Sequence, residues 1–320
     1  MIQILALLVP VFGTIALGYG AGHFRLVREE GLAGLEFLAF SVALPALFFH
    51  LITTTPTAAG GGWAFVATTT FATYCAFALA FSVGALVNGG NVPEATVEGL
   101  TGSYSNTAYL APALTIGAFG AAAAAPTALI LSFDTAMLIV ITPLMMALGG
   151  TVRNDPRKLT EAIARQVLLN PPIVATILAF IALALGWRLP GALDGFAAFL
   201  GQAAAPAALF LLGARLARRA IATVPLELPL IVAVKLIGHP LIVYLLLGWI
   251  GGFDMTWVKA AVLVAALPPA ANVIAYAERY KVYADRASMA MLAGSAAAIV
   301  TVTIFVVILL RGGLPADPFH

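Results

Sequence analysis

Ser103-Tyr104-Ser105-Asn106-Thr107-Ala108-Tyr109-Leu110-Ala111-Pro112 and Ala265-Ala266-Leu267-Pro268-Pro269-Ala270-Ala271-Asn272 are the two stretches that decide how this chain is read. Each sits inside an apolar run long enough to cross a bilayer, and each interrupts that run with proline and asparagine. Proline has no amide donor and collides with the preceding helical turn, so nearby carbonyls lose their partners. In hydrocarbon such groups are tolerated only where protein buries them or where they line a cavity. Two helices broken near the midplane would present half-helix N-termini to an anion. For the single residues Pro10, Pro45, Pro171 and Pro206 the competing reading is an ordinary kink.

The surrounding composition supports a bilayer setting. Of 320 residues 62% are hydrophobic and 9% charged, with a mean hydropathy of +1.03. A soluble domain is about a quarter charged. The class is therefore all-α integral membrane, which excludes a soluble enzyme, a nucleic-acid binder and a disordered chain. The net charge of +2 implies no polyanionic partner, and one cysteine, Cys75, gives neither a disulfide framework nor a thiolate metal site. Ten apolar runs follow, near 2–22, 32–52, 63–87, 95–118, 124–148, 168–187, 194–216, 227–250, 257–277 and 287–310. They are continuous, unlike the alternating segments of about 10 residues in a β-barrel. The first run lacks a basic leader, so it is read as an uncleaved span rather than a signal peptide.

Basic residues orient these spans. Arg25, Arg28, Arg153, Arg157, Lys158, Arg165, Arg215, Arg218, Arg219, Arg279, Lys281 and Arg286 fall on one side, against Arg188, Lys259 and Arg311 on the other. The richer side is cytoplasmic, which places both termini outside. Shifting the chain by 161 residues lays Pro10 on Pro171 and Pro45 on Pro206, and brings the two broken stretches into register. The shift crosses five spans, an odd number, so the halves are expected as inverted repeats. The first five-helix repeat is 1–150, the cytoplasmic linker 151–165 and the second repeat 166–312.

At these residues the chain resembles the auxin efflux carrier family, which includes plant auxin exporters and bacterial malonate-type permeases. The resemblance rests on Val9-Pro10-Val11-Phe12 with Leu17-Gly18-Tyr19, Val42-Ala43-Leu44-Pro45-Ala46-Leu47, Ser105-Asn106-Thr107-Ala108-Tyr109-Leu110, Lys235-Leu236 with His239-Pro240-Leu241, and Ala265-Ala266-Leu267-Pro268 with Ala275 to Tyr280. It runs from about residue 5 to 308. It implies ten transmembrane helices as two inverted five-helix repeats, with helices 4 and 9 broken at a crossover, a fold shared with sodium–bile acid symporters and some sodium–proton antiporters. It also implies a scaffold domain and an elevator-like transport domain. Departures stand at Glu36, Ala111, Pro112 and Pro269, and the long cytoplasmic loop of many plant exporters is missing, so auxin specificity is not inherited.

Charges inside the membrane are expensive and mark function by default. Asp134, about 15 Å into its span at 1.5 Å per residue, is the sharpest. With Ser132 and Thr135, and with Asn106 nearby, it can hold a coupling Na+ or exchange a proton; a structural carboxylate bonded to broken-helix backbone is the alternative. Lys235 either snorkels toward the cytoplasm or forms a structural ion pair, and His239 is read as a hydrogen-bonded structural residue. Glu36 is read as a helix-start charge and Arg215 as a snorkelling residue. Gln202 and Ser41 correspond under the 161-residue shift and are expected to face a cavity. Ser288 and Ser295 are packing serines or further cation ligands. Gly60-Gly61-Gly62 reads as an outer hinge. His23, His50, His239 and His320 have no metal-ligand spacing, and no nucleotide or metal cofactor is implied.

Together these readings lead to an expectation of a non-enzymatic secondary transporter for a small organic anion in a bacterial inner membrane. Asn106, Thr107, Tyr109, Pro112, Pro268, Pro269, Asn272, Gln202 and Ser41 are the expected substrate contacts. Asp134, Ser132 and Asn106 are the expected ion-coupling residues. A sodium symporter of the bile-acid type is the nearest rival, a membrane enzyme or sensor a remote one. The expected partners are the anion, the lipid bilayer and a second copy in a homodimer.

Overall fold

The computed structural model describes residues 2–54, 62–151, 156–218 and 226–312. Gly60, Gly61, Arg153, Arg219 and His320, on which parts of the hinge, charge and histidine readings fall, lie outside them. The described chain is helical: α1 (Ile2–His23), α2 (Glu29–Phe37), α3 (Leu44–Thr54), α4 (Gly62–Val87), α5 (Val92–Ser103), α6 (Thr107–Phe119), α7 (Ala124–Leu148) and α8 (Pro156–Leu168) make up the first part. Then follow α9 (Pro171–Ala184), α10 (Gly191–Gly201), α11 (Ala204–Leu216), α12 (Leu228–Ala233), α13 (His239–Ile250), α14 (Met255–Ala265), α15 (Ala271–Tyr280) and α16 (Ala284–Leu310).

The expectation of ten spans in two inverted five-helix repeats, as in the sodium–bile acid symporter fold, is overturned. Among the described residues six helices are long and apolar enough to cross a bilayer: Glu29–Thr54, Gly62–Val87, Ala121–Leu148, Gly191–Leu216, Leu228–Ile250 and Ala284–Leu310. A seventh is obtained only by joining Arg157–Leu168 to Pro171–Ala184, which are bent by 62°. The physical reason lies in the backbone breaks. Hydropathy over 95–118 and 257–277 sums across two helices each, and the apolar pieces Thr107–Phe119 and Met255–Ala265 are 13 and 11 residues long. At 1.5 Å per residue neither covers the roughly 30 Å of hydrocarbon. Most of the expected linker 151–165 is the helix α8.

Two other prolines are absorbed without a break. Leu38–Ala43, just before Pro45, and Val234–Gly238, just before Pro240, are π-helical. A proline ring meets the carbonyl four residues earlier, and the wider turn moves that carbonyl aside.

The chain forms two compact units, each drawing on both halves of the sequence: Met1–Gly60, Thr107–Ser132 and Leu168–Arg219 in unit 1, and Gly61–Asn106, Phe133–Val167 and Ala220–His320 in unit 2. In unit 1, α1 packs along α11, and α3 packs on α9 and α10. The first contact is backbone against backbone. A Cβ at Gly18 would strike the Phe210 carbonyl, one at Gly22 the Ala214 carbonyl and one at Gly213 the Ile15 carbonyl. Small residues four apart bring helices close where lipid supplies no hydrophobic drive. Arg215, read as snorkelling, instead donates to Glu36 at 2.5 Å, and His50 pairs with Asp194 at 2.7 Å.

In unit 2, α4 packs along α5, with α13 beside α4 and α14. Gly99 makes room for the Phe77 ring and Gly102 for the Ala80 methyl.

Substituting Gly22 or Gly213 by Leu should lower the melting temperature in detergent by several degrees, since overpacking costs about 1–3 kcal/mol. Gly20→Leu, where a Cβ meets nothing within 4 Å, should melt as the parent does. Equal melting of all three would contradict the backbone contact.

Candidate functional site

The site grows from the two breaks, both in unit 2. Asn91 starts α5 by capping the Glu94 amide at 3.3 Å, with Pro93 in the first turn. The helix stops at Ser103 because Tyr104 is extended, at φ −75° and ψ 115°. On the other side α14 ends at Ala265, and Ala270 is extended, at φ −80° and ψ 144°, before α15 starts. The two unwound segments pair antiparallel, with Ser105 opposite Pro269. The Asn106 amide donates to the Pro268 carbonyl at 2.9 Å, and the Ala270 amide donates to the Tyr104 carbonyl at 3.2 Å. This pairing asks Pro268 for a carbonyl and Pro269 for nothing, so neither proline loses a bond by lacking N–H. Gly294 of α16 leaves room for the Pro269 ring, whose Cδ would lie 2.7 Å from a Cβ there.

Lys235 fastens the crossing. It is wholly buried within the π-helical turn, which overturns the snorkelling reading. Its ammonium donates to the Ala265 carbonyl at 2.5 Å and to Ser105 Oγ at 2.9 Å, and lies 3.3 Å from His239 Nδ1. One cation thereby satisfies the C-terminal end of α14, where the helix dipole favours positive charge, and holds the facing loop. An ammonium has three donors, and here each has an acceptor. From His239 the polar contacts continue: Nε2 is 3.3 Å from Thr73 Oγ1, which is 3.3 Å from Asp134 Oδ1. Asp134 is thus buried and connected toward Lys235 through two side chains. Separately, the Tyr104 hydroxyl bonds Thr135 at 3.2 Å and also Asn272.

One group at the crossing stays unmatched. Asn106 is 1% exposed, its backbone amide is committed to Pro268, and its side-chain Nδ2 has no partner. An unsatisfied buried donor costs about 1–3 kcal/mol.

The expected contacts divide between the units. Unit 2 brings Asn106, Pro268 and Pro269 together, and adds Asn272 through Tyr104. Asp134 does not bond the Asn106 amide, which is free. Thr107, Tyr109, Pro112, Ser132, Ser41 and Gln202 belong to unit 1. There Thr107 and Ser132 are buried with unpartnered hydroxyls. Tyr109 meets Phe40 edge-on at 4.7 Å, and Pro112 lies inside α6. Gln202 is exposed at the end of α10, and Ser41 is part-exposed in the π-helical turn. Among the described residues no three of His, Cys, Asp and Glu are placed to hold a metal.

Sequence reasoning missed Ser105, Thr73 and the role of Lys235. The available signal was a lysine and a histidine four residues apart in a span whose other charge, Glu227, is its first residue, a spacing that puts both on one helix face. It also missed a second polar cluster. Glu98 is wholly buried in α5 and accepts from Asn88 at 3.0 Å. The Tyr283 hydroxyl donates to Glu227, and Arg286 lies 3.7 Å from the same carboxylate. Burial, with Glu227 and Glu98 beside it, pushes the Tyr283 phenol well above its ordinary range, so it remains a donor.

Lys235→Met should lower the melting temperature far more than Ile237→Met on the exposed side of the same turn. Removing one member of a buried charged network costs about 3–5 kcal/mol. Comparable melting of the two variants would show that Lys235 does not fasten the breaks.

The comparisons place the chain among membrane transport proteins. The family described as "Membrane transport protein" matches residues 3–306. A protein of Rhizobium meliloti (strain 1021), described as "Putative malonate transporter", is 38% identical over 319 residues, spanning the whole of both chains. A match across nearly the full chain carries the assignment beyond the two breaks. This is a multi-pass carrier rather than an enzyme, and the chain belongs to the membrane transport protein family, the group of auxin efflux carrier-like permeases.

Proposed function

We propose that the protein is a secondary carrier for a small organic anion, a carboxylate such as malonate or an auxin-like acid, working by elevator-type alternating access. The observation that carries this reading is the unpartnered Asn106 Nδ2, buried where two helices stop. A carboxylate oxygen is the acceptor it lacks. The start of α15 adds a second attraction, because Ala270 offers its first turn no side-chain cap and uncapped amides with the helix dipole favour an anion. Lys235, when protonated, adds positive charge at the crossing. The name of the Rhizobium relative supports a dicarboxylate.

The coupling ion in this reading is a proton. Asp134, Thr73, His239 and Lys235 form a continuous string of exchangeable groups. Sodium is less well supported, since Asp134 spends its contact on Thr73 and Asn106 offers it nothing. Both termini are placed outside a bacterial inner membrane. Arg25 and Arg28 follow α1, and Arg279, Lys281 and Arg286 bracket the start of α16, so those ends are cytoplasmic by the positive-inside rule. A homodimer would anchor the stationary part of such an elevator.

Asn106→Ala should cut malonate transport in proteoliposomes about tenfold to a hundredfold, the value of one charge-assisted hydrogen bond of about 1.5–3 kcal/mol. Its melting temperature should not fall, because the amide it removes has no protein partner. Undiminished transport, or loss of transport through unfolding, would contradict the assignment. Asp134→Asn should abolish uptake driven by a pH gradient while malonate exchange persists. Unchanged pH-driven uptake, or stimulation by sodium, would contradict proton coupling.

A further inference from the structure

The helix α8 replaces what the sequence suggested was a plain loop, and its two faces differ. Leu159, Ile163 and Val167 recur every four residues and form one apolar stripe, while Arg157, Lys158, Glu161 and Arg165 fall on the other side. The stripe is not enclosed: all three residues remain part-exposed. An amphipathic helix with an open apolar face and a basic polar face has the signature of a segment lying in the plane of a membrane surface.

We propose that α8 is an interfacial helix whose partner is the anionic phospholipid of the cytoplasmic leaflet. Leu159, Ile163 and Val167 enter the acyl boundary, and Arg157, Lys158 and Arg165 meet the headgroups. Three observations select this occupant. The polar face carries three basic residues and one acidic one, complementary to an anionic leaflet, where each basic residue near the surface contributes about 1 kcal/mol. The helix is joined at both ends to apolar helices, α7 and α9, so bilayer is the solvent nearest to it along the chain. The chain then bends by 62° before α9, so α8 does not continue that apolar helix. One contact gives the seat a consequence inside unit 2. Gln166 Nε2 donates to the Tyr276 hydroxyl at 3.1 Å, and Tyr276 lies on α15, the helix that starts at the second break. The depth of α8 in the headgroups is thereby tied to the helix that carries Asn272.

The test is site-directed spin labelling of the full chain in vesicles, on a Cys75→Ser background. Single cysteines replace Leu159, Glu161, Ile163, Arg165 and Val167 in turn. Accessibility to oxygen, which concentrates in lipid, is compared with accessibility to a water-soluble nickel chelate. The expected ratio oscillates with a period of about 3.6 residues, oxygen-rich at 159, 163 and 167 and nickel-rich at 161 and 165. In vesicles containing phosphatidylglycerol the label at 163 should sit deeper than in phosphatidylcholine alone. Arg157→Gln, Lys158→Gln and Arg165→Gln together should remove that difference. Nickel access at all five positions would mean a solvated helix, and access of neither reagent at 159, 163 and 167 would mean a face covered by protein, whether this chain or a second copy. Either result overturns the proposal, as does a label depth that ignores lipid charge.

Discussion

A backbone amide or carbonyl buried away from water must find its partner in the protein, and this structure interrupts two helices among buried residues. The interruption survives because the freed groups are matched across the gap. Tyr104 and Pro268 supply carbonyls, Asn106 and Ala270 supply amides, and the Lys235 ammonium takes the Ala265 carbonyl and the Ser105 hydroxyl. A buried charge without partners would cost several kcal/mol. Here the partners are the polar ends that the breaks create. Burial of the lysine and opening of the helices therefore depend on one another: each leaves unpaired groups that only the other satisfies. The Pro268-Pro269 pair fits this scheme because the bridge needs no donor from either residue.

Within that matched set the side-chain amide of Asn106 stands out as the exception. Ser105 and Lys235 are paired with one another, the Asn106 backbone amide is held by Pro268, and the side-chain donor is buried without a partner. In the proposed reading an anionic oxygen would satisfy the donor and offset the charge of a protonated Lys235 at once. The string from Lys235 through His239 and Thr73 to Asp134 then links the same crossing to a group that can gain or lose a proton. Substrate attraction and ion coupling would share one cation. The glycine contacts of α1 with α11 hold those two helices at backbone distance, while Gly99 and Gly102 of α5 admit the Phe77 ring and the Ala80 methyl of α4.

The breaks themselves were legible in the sequence, since proline's missing donor is a local property that needs no knowledge of the partner. The 161-residue shift brought the stretches holding Asn106 and Pro268 into register, but the hydrogen bond between them was not legible. The fate of Lys235 was not legible, because burial or snorkelling depends on the π-helical turn ahead of Pro240 and on the Ala265 carbonyl 30 residues away. Glu98 was passed over because its partners Asn88, Glu227 and Tyr283 come from three separate segments. Two of the ten expected spans, 95–118 and 257–277, failed where the breaks lie, since a hydropathy sum cannot tell one long helix from two short ones. The linker at 151–165 hid α8 because a short basic stretch between apolar runs looks like a loop until its apolar residues are set four apart.

The central claim is that the crossing of Tyr104–Asn106 with Pro268–Ala270, fastened by Lys235, presents Asn106 to a carboxylate. A cryo-electron microscopy map of the protein in lipid nanodiscs with saturating malonate tests it most directly. The account predicts density for the anion within hydrogen-bond distance of Asn106 Nδ2, with the Lys235 ammonium still on the Ala265 carbonyl. Malonate bound away from the crossing, or an Asn106 amide paired to protein in the loaded state, would contradict it.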